Sequence, residues 1–199
     1  MRLFWRWFFI TVIIVAVAAP LLVQVVWSFA FRWYFPDLLP SEWGLNAWRY
    51  VFSDSSRVGE ALLTSLSIAI VVSLLSIIVG LPAARALALH DFPGKGVVEW
   101  LLLIPIIVPS VVATMGIHIV FIRLRVADTY LGVVLIHLIP CIPYMILVMT
   151  SVFANYGTAL EDTARTLGAS AVRTFWHVTL PAILPGLLVA TLFTFLISW

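Results

Sequence analysis

The 24 residues from Ala61 to Ala84 contain no charge. As a helix rising 1.5 Å per residue they reach across about 30 Å of hydrocarbon, where only helices and closed barrels satisfy their own backbone groups. Residues 7–31, 100–122, 129–153 and 180–199 are equally free of charge. The expected fold is all-α, a polytopic membrane protein with five transmembrane helices over those runs. Composition points the same way. In a chain of 199 residues, 63% hydrophobic side chains, 10% charged ones and a mean hydropathy of +1.15 exclude an ordinary soluble domain. The net charge of +2 is too slight to suggest a nucleic-acid partner. A single cysteine, Cys141, excludes an internal disulfide and a cysteine-based metal site.

Taken in order, Arg2 and Arg6 precede the first run, which holds Pro20 and Gln24 and closes on Trp27, Phe29, Phe31, Trp33 and Tyr34. That run is too long for the apolar part of a signal peptide and ends in an interfacial aromatic belt. The interval to Glu60 is rich in proline and aromatics and is expected to lie partly on the membrane surface, with a short helix after Leu45. In the second run Ser65, Ser73, Ser76 and Gly80 make a small-residue face suited to close helix approach. The third run is interrupted by Pro105 and Pro109, which open the helix locally.

Polar side chains recur inside these runs. Ser110, Thr114 and His118 follow one another every four residues, and His137, Cys141 and Tyr144 share a face of the fourth run, which also holds Pro140 and Pro143. Thr191, Thr194 and Ser198 form the polar face of the fifth. Ser110, Thr114, His118, His137, Tyr144, Thr191, Thr194 and Ser198 are therefore expected to line a shared pathway, helix-to-helix hydrogen bonding being the alternative. No metal is expected, because the runs contain no carboxylate and no histidine pair at ligand spacing.

A second long polar interruption is ANYGTALEDTARTLGASAVRTFWHVTL, Ala154 to Leu180. Ala159 to Leu167 reads as a short helix with Glu161 and Asp162 in its first turns, where negative charge is favoured. Gly168 allows a turn, after which Ala171 to Val178 resumes as helix. Leu160, Ala164 and Leu167 share a face that can pack on the bundle or fill a groove on a soluble partner.

This stretch resembles the EAA loop of the membrane subunits of type I binding-protein-dependent ABC importers. Asp162 falls on the motif glutamate, Thr163 and Ala164 on its two alanines, Gly168 and Ala169 on its Gly-Ala, and Val178, Leu180 and Pro181 on its closing residues. Two departures stand out, Asp for Glu and Thr for the first Ala. SLSIAIVVSLLSIIVGLPAARALA followed by FPGKG resembles the second span and inner loop of the same family. The resemblance implies that residues 154–179 form a coupling loop, with Glu161, Asp162, Thr163, Ala164, Gly168, Ala169, Leu180 and Pro181 serving contact with an ATP-binding cassette subunit. It further implies a second permease subunit, the same or a sister chain, and an extracytoplasmic substrate-binding protein. The setting would be a bacterial or archaeal cytoplasmic membrane. The chain would bind no cofactor itself; ATP and Mg would be used by the partner, since no phosphate-binding Gly-Lys-Ser/Thr loop occurs here. Polyamine, ferric ion, thiamine and phosphonate permeases are the most similar subgroups.

Loop charge decides orientation weakly, six bases against five for a cytoplasmic amino terminus; the resemblance implies that orientation. It also implies a further helix beyond Trp199. Readings from other classes are a membrane scaffold that recruits a soluble partner, and a secondary carrier, which usually shows an intramembrane carboxylate or an inverted repeat.

Overall fold

The computed structural model describes residues 2–108 and 110–199, apart from the side chains of residues 2–4 and 110–113. The chain divides into two compact units, one ending at Leu62 and the other running Leu63–Trp199. In the first, α1 (Arg2–Ser28) carries Pro20 without breaking. Strand β1 (Ala30–Arg32) then pairs antiparallel with β2 (Glu42–Trp43), tied by an exposed ion pair between Arg32 and Glu42 at 3.1 Å. This hairpin was not legible in the sequence, its strands being only three and two residues long. Helix α2 (Asn46–Val51) is the short helix expected after Leu45.

Helix α3 (Val58–Leu89) leads into the second unit, which continues through α4 (Lys95–Ile107), α5 (Ser110–Arg123), α6 (Tyr130–Tyr156), α7 (Ala159–Thr166) and α8 (Ala171–Thr174). A π-helical segment, Phe175–Thr179, then runs directly into α9 (Leu180–Ser198). The wide turn lies just before Pro181. That ring has no N–H to give, and in an α pattern it would press on the carbonyl four residues back, so a local π register relieves the conflict.

The expectation of five transmembrane helices is corrected. Among the described residues, four helices are long and apolar enough to cross a membrane: Trp5–Ser28, Val58–Leu89, Tyr130–Tyr156 and Ala171–Ser198. The run 100–122 is divided between α4 and α5, of 13 and 14 residues, and neither reaches the roughly 20 residues a crossing needs. Val108 shows the reason. It is extended, φ −68° and ψ 130°, the conformation that a following proline imposes on its predecessor. Pro109 itself lies outside the described residues. Both pieces pack against α6.

The core of the second unit lies where α3, α6 and α9 meet. Met145, Met149 and Phe153, four residues apart, form one stripe of α6 and pack with Ile183, Leu187 and Ala190 of α9 and with Ala84 and Leu87 of α3. A second patch joins Ile68 and Val72 of α3 to Val134 and Cys141 of α6. In lipid such packing gains from close contact more than from release of water, so small residues count. Ser73, Ser76 and Gly80 are buried as the small-residue face requires, and a Cβ on Gly80 would stand 2.6 Å from Met145 Cγ.

Candidate functional site

Helix α7 contributes one buried side chain to the molecule, and it is charged. Glu161 is 2% exposed. Its carboxylate receives both arms of the Arg85 guanidinium, Nη1 to Oε1 at 2.8 Å and Nη2 to Oε2 at 2.5 Å, and Oε1 also accepts from the Thr179 hydroxyl at 2.7 Å. Arg85 lies in addition over the ring of Phe153, 5.8 Å from its centroid. One carboxylate thus joins α7 to α3 and to the π segment that begins α9, while the arginine it holds packs on α6. The Arg85 hydrogen bonds outweigh burial and, with Thr179, pull the Glu161 carboxyl down to about 2. Arg85 also explains why α3 runs past Ala84, the last uncharged residue of its run, to Leu89: the base at that point has its partner.

The turns around α7 follow from local chemistry. Gly157 leaves α6 at φ +67°. At the other end Gly168 has φ +86°, and its N–H reaches Arg165 O at 2.9 Å while that of Ala169 reaches Ala164 O at 3.0 Å. This is a Schellman motif, which wants glycine at its left-handed position. Ser170 then caps α8 by accepting from Arg173 N at 3.3 Å.

The remaining loop residues singled out in the sequence take different places. Asp162 is exposed, and Thr158 Oγ1 donates to it at 3.4 Å. Thr163 is exposed and returns its hydroxyl to Ala159 O, whereas Ala164, Ala169 and Leu180 are half-buried. Pro181 occupies the first turn of α9. Leu160 and Leu167 are 64% and 83% exposed, so of the two roles open to that face, packing on the bundle is not the one they take within this chain. No Cβ clash within the chain requires glycine at 168; the turn does.

Of the eight proposed pathway residues, the structure joins some. His137 Nδ1 and Ser198 Oγ share a hydrogen bond at 3.0 Å, and Cys141 Sγ donates to Thr194 O at 3.7 Å. Tyr144 meets Phe193 with ring centroids 6.0 Å apart. Thr191, together with Ser73 of α3, lines an apolar groove between α3 and α9. Thr114 and His118 are exposed on α5, and the side chain of Ser110 lies outside the described residues. No group of three or more potential metal ligands occurs among the described residues. Sequence reasoning missed Arg85 and Thr179. The available signal was a lone base directly ending an uncharged run of 24 residues.

These features define a multi-pass membrane protein whose polar loop between α6 and α9 is fixed to its helices by a buried ion pair. The chain belongs to the family of binding-protein-dependent transport system inner membrane components, whose model matches residues 76–199. The family is a transport permease component, not a catalytic domain. Among its relatives, the molybdate/tungstate transport system permease protein WtpB of Pyrococcus abyssi is 35% identical over 128 residues, covering 64% of this chain and 51% of the relative. The spermidine/putrescine transport system permease protein PotC of Haemophilus influenzae is 27% identical over 200 residues, covering 99% of this chain and 76% of the relative. The chain spans about half the length of the molybdate/tungstate permeases it matches. In fold it is similar to a chain from the crystal structure of a bacterial ABC transporter that imports the acidic polysaccharide alginate. There the TM-score is 0.67 at 20% identity, over 100% of this chain and 71% of that one.

Proposed function

We propose that this chain is the permease subunit of an ATP-driven importer and that residues 154–179 are its coupling loop. The observation that carries the reading is the two-sided character of α7. Its inward side is fixed by Glu161, while Leu160 and Leu167 stand exposed beside Asp162. An amphipathic helix of this kind is built to enter a groove on a soluble partner, here an ATP-binding cassette subunit. Closure of two such subunits would push the loop and tilt α3, α6 and α9, exposing the pathway alternately to either side. A second permease subunit and an extracytoplasmic substrate-binding protein complete the assembly.

For the substrate we favour an oxyanion, such as molybdate or a phosphonate, over a polyamine, ferric ion or thiamine. The uncharged runs hold hydroxyl, imidazole and phenol groups and neither a carboxylate nor a lysine or arginine. The relatives at 34–35% identity that act on molybdate and tungstate support this choice.

Two experiments test the reading. In intact cells, a cysteine placed at Thr166 should be shielded from an impermeant thiol reagent; labelling there from outside would end the coupling-loop assignment. Uptake of radiolabelled molybdate into vesicles containing the chain, its ATPase and its binding protein should depend on ATP and resist excess spermidine. Competition by spermidine would reverse the choice of substrate.

A further inference from the structure

We propose that Glu161 is the residue that positions the loop for coupling, and that the two adjacent acids divide the work: Glu161 faces inward and makes α7, α3 and the start of α9 move together, while Asp162 faces the partner. The inference rests on the coupling reading above and adds which side chain transmits the motion. Helix α7 is bounded by two glycines of positive φ, Gly157 and Gly168. Backbone continuity alone would let so short a helix swivel between them. Glu161 is its one buried side chain, and every strong contact that this side chain makes lies on another element: Arg85 on α3 and Thr179 on the π segment.

The chemistry suits transmission. A bidentate guanidinium pair fixes orientation as well as distance, and a hydroxyl on the same oxygen adds a third direction. A force applied to α7 therefore reaches α3 and α9 through one carboxylate. The point of delivery on α9 is the π segment, a wide turn of the sort that recurs where helices change register. Asp162 has a single long contact, from Thr158 within its own turn, and is free to meet another chain.

The test uses the full chain in lipid nanodiscs with Cys141→Ala, carrying spin labels at Thr166 on α7 and Leu188 on α9, both exposed. Pulsed EPR should give one narrow distance maximum for the parent chain. Glu161→Ala should lose that single maximum, Thr179→Val should broaden it, and Asp162→Asn should leave it as it was. If Glu161→Ala does not insert, Glu161→Gln, which keeps the shape and removes the charge, replaces it with the same expectation of broadening. A distribution as narrow as the parent's in the Glu161 variants, or equal broadening by Asp162→Asn, overturns the proposal. In the assembled importer, uptake per ATP hydrolysed should fall about tenfold in Glu161→Gln, the scale of an ordinary coupling free energy, whereas Asp162→Asn should lose co-purification of the ATPase. An unchanged ratio in Glu161→Gln counts against the transmission role even where EPR shows broadening. Should the parent chain itself retain no ATPase, the coupling reading fails, and the EPR result still decides whether Glu161 fixes α7.

Discussion

The two ends of α9 are both tied to neighbouring helices by polar contacts, and the ties differ in kind. At its beginning Thr179 meets a charged pair, Arg85 and Glu161, in a cluster that joins three elements. Toward its other end the contacts are neutral and pairwise, His137 with Ser198 and Cys141 with Thr194. The charged cluster lies where the chain leaves the long apolar helices for a short helix bounded by glycines of positive φ, and where a backbone alone would not hold a helix in place. The neutral contacts lie between two long helices already held by a packed core. Strong, oriented bonds are found where covalent geometry leaves freedom, and weak ones where packing has removed it.

The largest effect should come from breaking the charged end. Arg85→Ala strands a carboxylate that is almost wholly buried, with Thr179 as its remaining donor, and should cost about 3 kcal/mol, the low end for a broken buried pair because the Arg85 side chain is 30% exposed. Glu161→Ala should cost less, since the arginine left behind can reach water. Thermal unfolding of purified protein in one detergent would rank them, and the reverse order would show that the carboxylate is better solvated than its burial implies.

The same end should respond to acid. The Glu161 carboxyl is held at about 2 in the folded chain, below its ordinary value, so the pair contributes its full stability above about pH 5 and loses it as pH falls toward 2. The difference in melting temperature between the parent chain and Glu161→Gln should be flat from neutral pH down to that point and shrink below it. Growth of the difference on acidification would contradict an ionised pair.

Thr179→Val removes one hydrogen bond to a charged group and should cost about 1.5–3 kcal/mol. Gly168→Val forces a β-branched residue into φ +86° and should cost about 1–3 kcal/mol, confined to the loop. It should therefore abolish retention of the ATPase while the chain still inserts. Normal retention and uptake in this variant would mean that the left-handed turn is incidental. The smallest effect belongs to the neutral end. A double-mutant cycle on His137 and Ser198 should give about 0.6 kcal/mol, the average for such bonds between membrane helices. A coupling as large as that between Arg85 and Glu161 would erase the contrast between the two ends.

How far the sequence could be read follows the same division. The cores of α3, α6 and α9 were legible because a long uncharged run has few alternatives in lipid, and α6 begins at Tyr130, one residue into its run, with Thr129 as its cap. The division of the third run into two helices was not legible. Uncharged length was counted, while the effect of Pro109 on Val108 divided it. Prolines alone did not foretell this, since Pro140 and Pro143 lie within an unbroken α6, against which α4, α5 and α9 pack. In the loop, the turn at Gly168 was legible from local residues. Which of two adjacent acids turns inward was not, because that depends on an arginine 76 residues away. The family motif drew attention to Asp162, and the geometry gives the buried contact to Glu161.

Helix α7 holds to its own chain through Glu161, and the proposed coupling role requires its other side to meet an ATPase. A photo-crosslinking amino acid placed at Leu167, 83% exposed, and in a second variant at Ile183, fully buried, tests it in living cells. After irradiation, the Leu167 variant should yield an adduct whose second component is identified by mass spectrometry as a protein with a phosphate-binding Gly-Lys-Ser/Thr loop, and the Ile183 variant should not. An Leu167 variant that crosslinks to lipid alone, or an ATPase adduct of equal yield from Ile183, would contradict the account.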